Sequence, residues 1–300
     1  MEVTVPCIAS TTSPAPHLDS IAVTSPFLDV SQDPSNVELY LQTSPEFFMK
    51  RLLCSGSGSI YRMGPAFRQG EISSRHNPEF TMLEWYRTDW HYHQLMDEVA
   101  ELIILLVGDI EIERLTYSEL FQQYVGIDPY CATIDELAAI AWDKVGYQPP
   151  KSGDDQFVTL TTDEWLELIF SGYVLPKTSG RSMLVFEFPE GQAELAEIMT
   201  NKQGQKVASR FELYLNGIEL ANGYQELTDS RELHRRFEQW TVERQRVGKP
   251  VMEQDKRLLN AQSHGLPRCA GVALGIDRLA MCLLETSEIR DILAFPADRV

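Results

Sequence analysis

Cations are in short supply in this chain of 300 residues: 26 Lys and Arg stand against 44 Asp and Glu, for a formal charge of -18. That balance excludes broad electrostatic attraction to nucleic acid or to an anionic membrane and leaves room only for a local basic pocket. Cysteine is sparse as well. Cys7, Cys54, Cys131, Cys269 and Cys282 are odd in number and show no CxxC spacing, which argues against a disulfide framework or a structural zinc site and fits a reducing compartment. Long apolar runs are missing: the longest, Leu102 to Gly108, is too short to span a bilayer. The opening residues MEVTVPCIAS carry neither a basic nor an apolar signal segment. No internal repeat and no low-complexity tract is found. Together these absences lead us to expect a cytoplasmic protein.

What is present is enough apolar material for a large core, 43% of the residues, in one large domain or two smaller ones. The first 35 residues, rich in Ser, Thr and Pro, read as extended loop. Val37 to Leu53 reads as a strand, a turn at Ser44-Pro45 and a helix. Ile60 to Arg87 reads as two strands around a polar loop. Leu95, Val99, Leu102 and Leu106 fall at helical spacing, and Gly108 ends that helix. Residues 110–180 read as short helices in an inserted subdomain. Three capping-box pairs occur there, Thr116 with Glu119, Thr133 with Glu136 and Thr161 with Glu164, and the stretch GYQPPKSGDD reads as a surface loop. Strands return at Met183 to Pro189 and Ala208 to Leu227, and a charged helix runs from Asp229 to about Val247. A glycine-containing strand then leads into a last helix. The pattern predicts an α+β fold with a mainly antiparallel sheet flanked by helices.

Three groups of residues carry chemistry. In FRQGEISSRHNPEFTMLEWY, alternation puts Phe80, Met82, Glu84 and Tyr86 on one strand face. A lone carboxylate on such a face is costly. Glu84 therefore either binds an ammonium group, helped by Tyr86 and floored by Phe80 and Met82, or pairs with an internal arginine. Arg68 and Arg75 flank the loop tip, and their planar forks suit phosphate or carboxylate oxygens. In FELYLNGIELANGYQEL, Glu212 and Glu219 fit the two arms of a hairpin turning at Asn216-Gly217. Two carboxylates brought together call for cations, and Mg²⁺ on phosphates would serve. Asn222, Tyr224 and Glu226 alternate onto one face. In AGVALGIDRLAM, Gly271 and Gly275 allow close backbone approach, while Arg278 adds a charge to a helix N-terminus. Asp277 reads as a possible cap. Three arginines, two paired carboxylates and a separate ammonium pocket suit a nucleoside triphosphate beside an amine-bearing acid.

These segments also resemble a known family. FRQGEISSRHNPEF is similar to motif 2 of the class II aminoacyl-tRNA synthetases, most closely the lysyl enzymes, and GVALGIDR is similar to motif 3. TVPC resembles the tail of motif 1, with Pro6 as its proline, and TSPEFFMKRLL and GIELANGYQEL also match the lysyl pattern. The resemblance implies a single catalytic domain over residues 1–300, with 110–180 inserted in it. It implies ATP and Mg²⁺. Arg68 would grip the α-phosphate and the amino-acid carboxylate, and Arg75 and Arg278 the β- and γ-phosphates. Phe80 would stack on adenine and Asn77 would lie by its edge. Gln69, Gly70, Glu71, Leu220 and Gly275 would complete the ATP site, and Glu212 and Glu219 would hold the metal. Ser44, Pro45, Glu46, Glu84, Tyr86, Asn222, Tyr224, Glu226 and Ala273 would line the amino-acid pocket.

Three departures from the lysyl pattern sharpen the expectation. No anticodon-binding module precedes the motif 1 tail. Ala273 stands where the lysyl motif 3 has glycine. Gly70 takes the place of the usual motif 2 glutamate, and Glu71 follows it. The first two departures, with HNPEFTMLEWYR and ELANGYQELTD, resemble free-standing relatives of the lysyl enzymes that activate β-lysine and pass it to a lysine of elongation factor P. That resemblance implies a protein acceptor, no tRNA partner and a homodimer. A tRNA- or small-acceptor-charging enzyme and a catalytically silent paralogue are the alternatives.

Overall fold

The computed structural model describes residues 1–24, 38–147 and 160–300. In chain order the elements are β1 (Ile8–Ala9), β2 (Ala22–Thr24), β3 (Glu38–Leu41), α1 (Glu46–Cys54), β4 (Ile60–Phe67), β5 (Glu79–Thr88), α2 (Tyr92–Val107), β6 (Glu113–Thr116), α3 (Tyr117–Tyr124), α4 (Ile134–Ile140), α5 (Thr162–Ile169), the single turn α6 (Leu175–Lys177), β7 (Ser182–Pro189), β8 (Ile198–Thr200), β9 (Lys206–Leu215), β10 (Ile218–Gln225), α7 (Ser230–Arg246), α8 (Lys256–Ser263), β11 (Cys269–Gly275) and α9 (Ile276–Leu283). They form two compact units. One joins Met1–His91 to Glu226–Val300, and the other is the continuous stretch Tyr92–Gln225.

In the discontinuous unit, β5 is paired antiparallel to β4 on one side and to β11 on the other. A second small sheet sets β3 between β1 and β2, all antiparallel. So part of the expected N-terminal loop is extended and hydrogen-bonded; its residues 25–35 lie outside those described. Behind the central strands, Val5, Met49, Leu53, Ile60, Tyr86, Leu266 and Cys269 make a core. Helix α1 starts where expected, with Pro45 in helical backbone geometry just ahead of Glu46. Asp229 caps α7 through the amides of Arg231 and Glu232. Asp277 is not a cap: its Oδ2 accepts from the Thr81 backbone amide of β5 at 2.6 Å, tying α9 to the central strand.

In the Tyr92–Gln225 unit, β9 pairs antiparallel with β10 and β7, and β8 adds to its end. The β9–β10 hairpin turns at Asn216-Gly217, both in the left-handed region at φ 54 and 73, as the Asn-Gly pair demands of a two-residue hairpin. All three capping boxes form, at Thr116, Thr133 and Thr161, each satisfying exposed amides at a helix start. The segment expected to be helical also contains β6, which runs parallel to β7. The stretch GYQPPKSGDD lies outside the described residues from position 148 onward. An aromatic-rich core of Tyr117, Phe121, Phe170, Phe188 and Tyr214, with Trp165 at its edge, binds the helices to the sheet. Among the described residues no helix is long and apolar enough to cross a membrane.

Candidate active site

Of the β5 face read from alternation, Met82, Glu84 and Tyr86 are buried and Phe80 is half-buried, while Trp85 of the opposite face is buried as well; the Tyr86 hydroxyl donates to Glu84 Oε1 at 2.6 Å. Around them stand two further carboxylates. Glu46 opens α1, where its backbone amide is 3.4 Å from Ser44 Oγ, and Glu226 follows β10. The partner of these acids is not an arginine. Lys50, one helical turn after Glu46, donates to Glu46 Oε1 at 2.7 Å and lies 2.7 Å from Glu226 Oε2. Both contacts are ion pairs at charge-assisted hydrogen-bond distance. Burial, followed by the negative charge of Glu46, pushes the Glu84 carboxyl up to about 8. Burial likewise pushes Glu226 up, with Lys50 opposing. Tyr86 is held protonated by burial and by Glu84.

Gly271 makes this packing possible. A Cβ there would collide with Glu226 Oε1 and with the Tyr86 ring, so the close approach expected of this glycine is to side chains of the pocket. Ala273, two residues on, lies opposite Glu84 in the β5–β11 register. Lys50 escaped the sequence reading because a lysine in a helix is normally solvated. The available signal was its spacing from Phe47 and Leu53, which puts it on the buried side of α1.

The loop between β4 and β5 gathers the arginines. Arg68 places its guanidinium over the Phe80 ring, 5.1 Å from the centroid. Its Nε is buried with no hydrogen-bond partner, which a native structure seldom leaves without a reason. Gly70 has φ +81, a conformation costly for glutamate. The chain therefore turns at Gly70, and Glu71 Oε1 reaches back to within 3.4 Å of Arg68 Nη1. Gln69 holds the loop to the N-terminal segment, its backbone N–H donating to the Asp19 carbonyl at 2.8 Å. Arg75 is exposed at the tip, its amide 3.2 Å from Ser73 Oγ.

The residue after Arg75 has a role the sequence reading did not assign. Arg278 Nη2 is 2.7 Å from His76 Nε2, and His76 Nδ1 is 2.7 Å from Ser73 Oγ. A guanidinium can only donate, so Nε2 is the acceptor in this contact. Ser73 and His76 also exchange backbone hydrogen bonds, so the imidazole links the loop tip to the first turn of α9. Asn77 donates to the Glu79 carbonyl at 2.6 Å and accepts from the Ala297 amide at 2.9 Å. Gly275 precedes α9 with extended backbone.

In the Tyr92–Gln225 unit, one face of the β9–β10 hairpin carries the buried Arg210, Glu212 and Tyr214 on one arm and the half-buried Asn222 and Tyr224 on the other. Asn222 lies opposite Glu212. Glu219 lies opposite Tyr214, ahead of a bulge that takes in the buried Leu220. An internal arginine does occur here, but on Glu212 and Glu194 and not on Glu84. Arg210 donates to Glu212, to Asn222 Oδ1 at 3.2 Å and to the Gln192 carbonyl at 2.7 Å, and it lies 3.2 Å from Glu194. The Tyr214 hydroxyl donates to Glu212 and that of Tyr224 to Glu194. Burial raises the Glu212 pKa, Arg210 opposes this, and the charge of Glu219 adds to it. Glu212 is thus held by a resident cation, and the expected repulsion from Glu219 remains. Arg210 was readable, two positions before Glu212 on the same strand face.

Among the described residues no group of three or more His, Cys, Asp or Glu is arranged to hold a metal. The charge of Glu219 acts on Glu212, and the Glu212 carboxylate already accepts from Arg210 and Tyr214.

Comparison with known proteins agrees with this chemistry. Residues 1–299 match the family described as tRNA synthetases class II (D, K and N). A protein of Hamiltonella defensa named elongation factor P–(R)-β-lysine ligase is 40% identical over 302 residues, covering 100% of this chain and 89% of its own length. Proteins of the same name from Yersinia enterocolitica (44% over 262 residues, 87% of this chain and 78% of the relative) and Pasteurella multocida (41% over 296 residues, 98% and 88%) are equally similar in kind.

Proposed function

The chain belongs to the class II tRNA synthetase family of the D, K and N enzymes, and on that premise we propose that it is an ATP-dependent ligase. It activates (R)-β-lysine, or lysine, as an acyl-adenylate and transfers the acyl group to a lysine of elongation factor P. The acceptor follows the names of the relatives. The observation that carries the substrate class is the buried Glu84–Tyr86 pair beside Glu46 and Glu226: three carboxyls and one resident lysine leave an unfilled demand for an ammonium group.

The roles follow from each group's surroundings. Arg68, with its unpaired Nε, takes the α-phosphate and the substrate carboxylate. Phe80, already stacked under that guanidinium, takes adenine, with Asn77 at its edge. Gln69, Gly70, Glu71, Leu220 and Gly275 complete the nucleotide site, and Arg75 and Arg278 take the β- and γ-phosphates. His76 keeps Arg278 extended toward the loop. Ser44, Pro45, Glu46, Glu84, Tyr86, Asn222, Tyr224, Glu226 and Ala273 serve the amino acid. Glu212 and Glu219 are the carboxylates assigned to Mg²⁺, which would supply charge neutralisation on phosphate oxygens.

In the first step a carboxylate oxygen of the amino acid attacks the α-phosphorus in line, the bond to the β-phosphate bridging oxygen breaks, and pyrophosphate leaves. The nucleophile is already ionised, so no general base is needed; catalysis is positioning and charge neutralisation. In the second step the acceptor lysine, as a free amine, attacks the acyl carbon. An amide bond forms, AMP departs, and a proton is released. We further propose that the chain acts in the cytoplasm as a homodimer without tRNA, as one catalytic domain with residues 110–180 inserted in it.

The test is amino-acid-dependent ATP–pyrophosphate exchange with (R)-β-lysine and with α-lysine, followed by transfer to elongation factor P or to tRNA. Exchange with β-lysine and labelling of the protein acceptor are the expected results. Exchange without protein labelling would move the acceptor to tRNA or a small molecule. No exchange from a folded protein would sink the enzyme reading.

A further inference from the structure

Arg244, near the end of α7, is fully buried, which is rare for an arginine. Its Nε donates to the Pro250 carbonyl at 2.6 Å. Nη1 donates to the carbonyls of Ala15 at 3.0 Å and Leu18 at 2.9 Å, and Nη2 to Asp19 Oδ1 at 3.0 Å. Lys249, just past the helix, adds Nζ to the Pro16 carbonyl at 2.8 Å and to Asp19 Oδ2 at 2.7 Å. Apart from Pro250, every acceptor lies within residues 15–19, a stretch outside any strand or helix. Stability alone does not call for such a cation, because an apolar side chain of similar volume often serves as well. A planar fork of fixed donors, by contrast, selects one arrangement of the carbonyls around it. The stretch so fixed also holds the loop between β4 and β5. The Asp19 carbonyl accepts from the Gln69 N–H at 2.8 Å, while the Arg68 N–H donates to the Pro78 carbonyl at 2.9 Å.

Resting on the ligase reading, in which Arg68 takes the α-phosphate and the substrate carboxylate, we propose that Arg244 is a positioning residue for Arg68. It fixes residues 15–19, and through the Asp19 carbonyl it sets the peptide that joins Arg68 to Gln69. The Arg68 guanidinium itself is held loosely, 3.4 Å from Glu71 and over the Phe80 ring, so the backbone at its root decides where it reaches. Without Arg244 the 15–19 segment loses its shape, the Gln69 N–H loses its acceptor, and Arg68 drifts. Misplacement by about 1 Å of a group that takes the reacting phosphate costs on the order of 100-fold in rate. The ammonium pocket of Glu84 and Tyr86 is not part of this chain of contacts, so the loss falls on kcat, and KM for the amino acid stays close to wild type.

The experiment uses the full chain as wild type, Arg244→Ala, Arg244→Lys and Asp19→Ala. Amino-acid-dependent pyrophosphate exchange is measured with and without guanidinium chloride at millimolar, sub-denaturing concentration, which returns the head group that Arg244→Ala deletes. Deuterium uptake at the Gln69 amide is followed by mass spectrometry, and folding by circular dichroism. For Arg244→Ala we expect kcat to fall by about 100-fold with KM for the amino acid near wild type, and guanidinium to recover at least about tenfold. Deuterium uptake at Gln69 should quicken in the variant and slow again with guanidinium. Arg244→Lys offers a point charge in place of the fork, so it stays slow in both conditions. Asp19 is 36% exposed, and Asp19→Ala should shift kcat and Gln69 uptake in the same directions by smaller factors. That variant carries the test if Arg244→Ala does not fold. A merely structural Arg244 would lower the melting temperature while the folded protein kept its kcat. That result overturns the proposal, as does loss of kcat with Gln69 uptake unchanged or without rescue by guanidinium. Absence of pyrophosphate exchange in the wild type would count against the ligase reading instead. The protection of Gln69 and its loss in Arg244→Ala would remain measurable, so the two failures are distinct.

Discussion

Amino-acid capture should depend on pH in a way set by one carboxyl. Glu84 is 3% exposed and is pushed up to about 8, first by burial and then by the charge of Glu46. At pH 6.5 it is mostly neutral, and a neutral carboxyl is a poor partner for an ammonium group. Capture of the substrate amine, itself charged throughout this range, then requires Glu84 to give up its proton. The ionised fraction of a group titrating near 8 grows about 25-fold between pH 6.5 and pH 8.5, which corresponds to about 1.9 kcal/mol of binding free energy. With ATP saturating, KM for the amino acid should fall by about that factor over the interval. Calorimetry in two buffers of different ionisation enthalpy should detect one proton released per substrate bound at pH 7. Glu226 is also raised and contributes its own pH dependence, so Glu84→Gln is the control. It keeps an acceptor for Tyr86, loses the titration, and should bind the amino acid weakly with little slope. A flat wild-type profile, or the same slope in Glu84→Gln, would refute the assignment of Glu84 as the anchor.

The same carboxyl should weaken the ligand-free protein in alkali. Its folded pKa lies above its unfolded value, so the stability it contributes is fully present below the unfolded pKa and is lost as pH rises through the folded one. Glu84→Gln should therefore melt above wild type at pH 9, by at most about 5 kcal/mol; identical melting there would sink the argument. Gly271→Ala should cost roughly 1–3 kcal/mol in urea unfolding, because its Cβ meets Glu226 and the Tyr86 ring, and an unchanged midpoint would mean that these side chains can yield. Arg278→Ala should abolish pyrophosphate exchange while leaving circular dichroism intact, and normal exchange from the folded variant would remove Arg278 from the phosphate site. Ala273 faces Glu84 across β11 and β5. Ala273→Gly should shift amino-acid preference toward α-lysine, and an unchanged ratio of exchange rates would show that position 273 does not discriminate.

Much of the fold was legible where local chemistry decides it. The three Thr–Glu capping boxes, the Asn216-Gly217 turn and the alternation of Met82, Glu84 and Tyr86 are short-range signals, and each appears in the structure as read. The illegible parts depend on partners distant in sequence. Glu113–Thr116 is too short to show alternation and becomes β6 only because β7 lies alongside it. Asp277 has the look of a helix cap, but Thr81 claims its carboxylate. The counter-ions were missed for a common reason. Lys50 and Arg210 are residue types that usually face water; Glu212 stood two positions from Arg210 on the same strand face, whereas Glu226, which draws Lys50 inside, is brought to it only by the fold.

The discontinuous unit bears on how the protein is made. Tyr92–Gln225 is one unbroken stretch, so it can fold as soon as it leaves the ribosome. The unit that begins at Met1 must wait. Its central strand β5 has β4 from the start, but the other edge stays bare until β11 is synthesised. Until then Glu84 and Tyr86 lack Glu226 and the Gly271 backbone behind them, and an open, largely apolar strand edge is exposed to wrong pairing. Chains terminated before about residue 275 should therefore be sticky as well as inactive, and dependent on chaperones in proportion to how long translation pauses across the middle of the message.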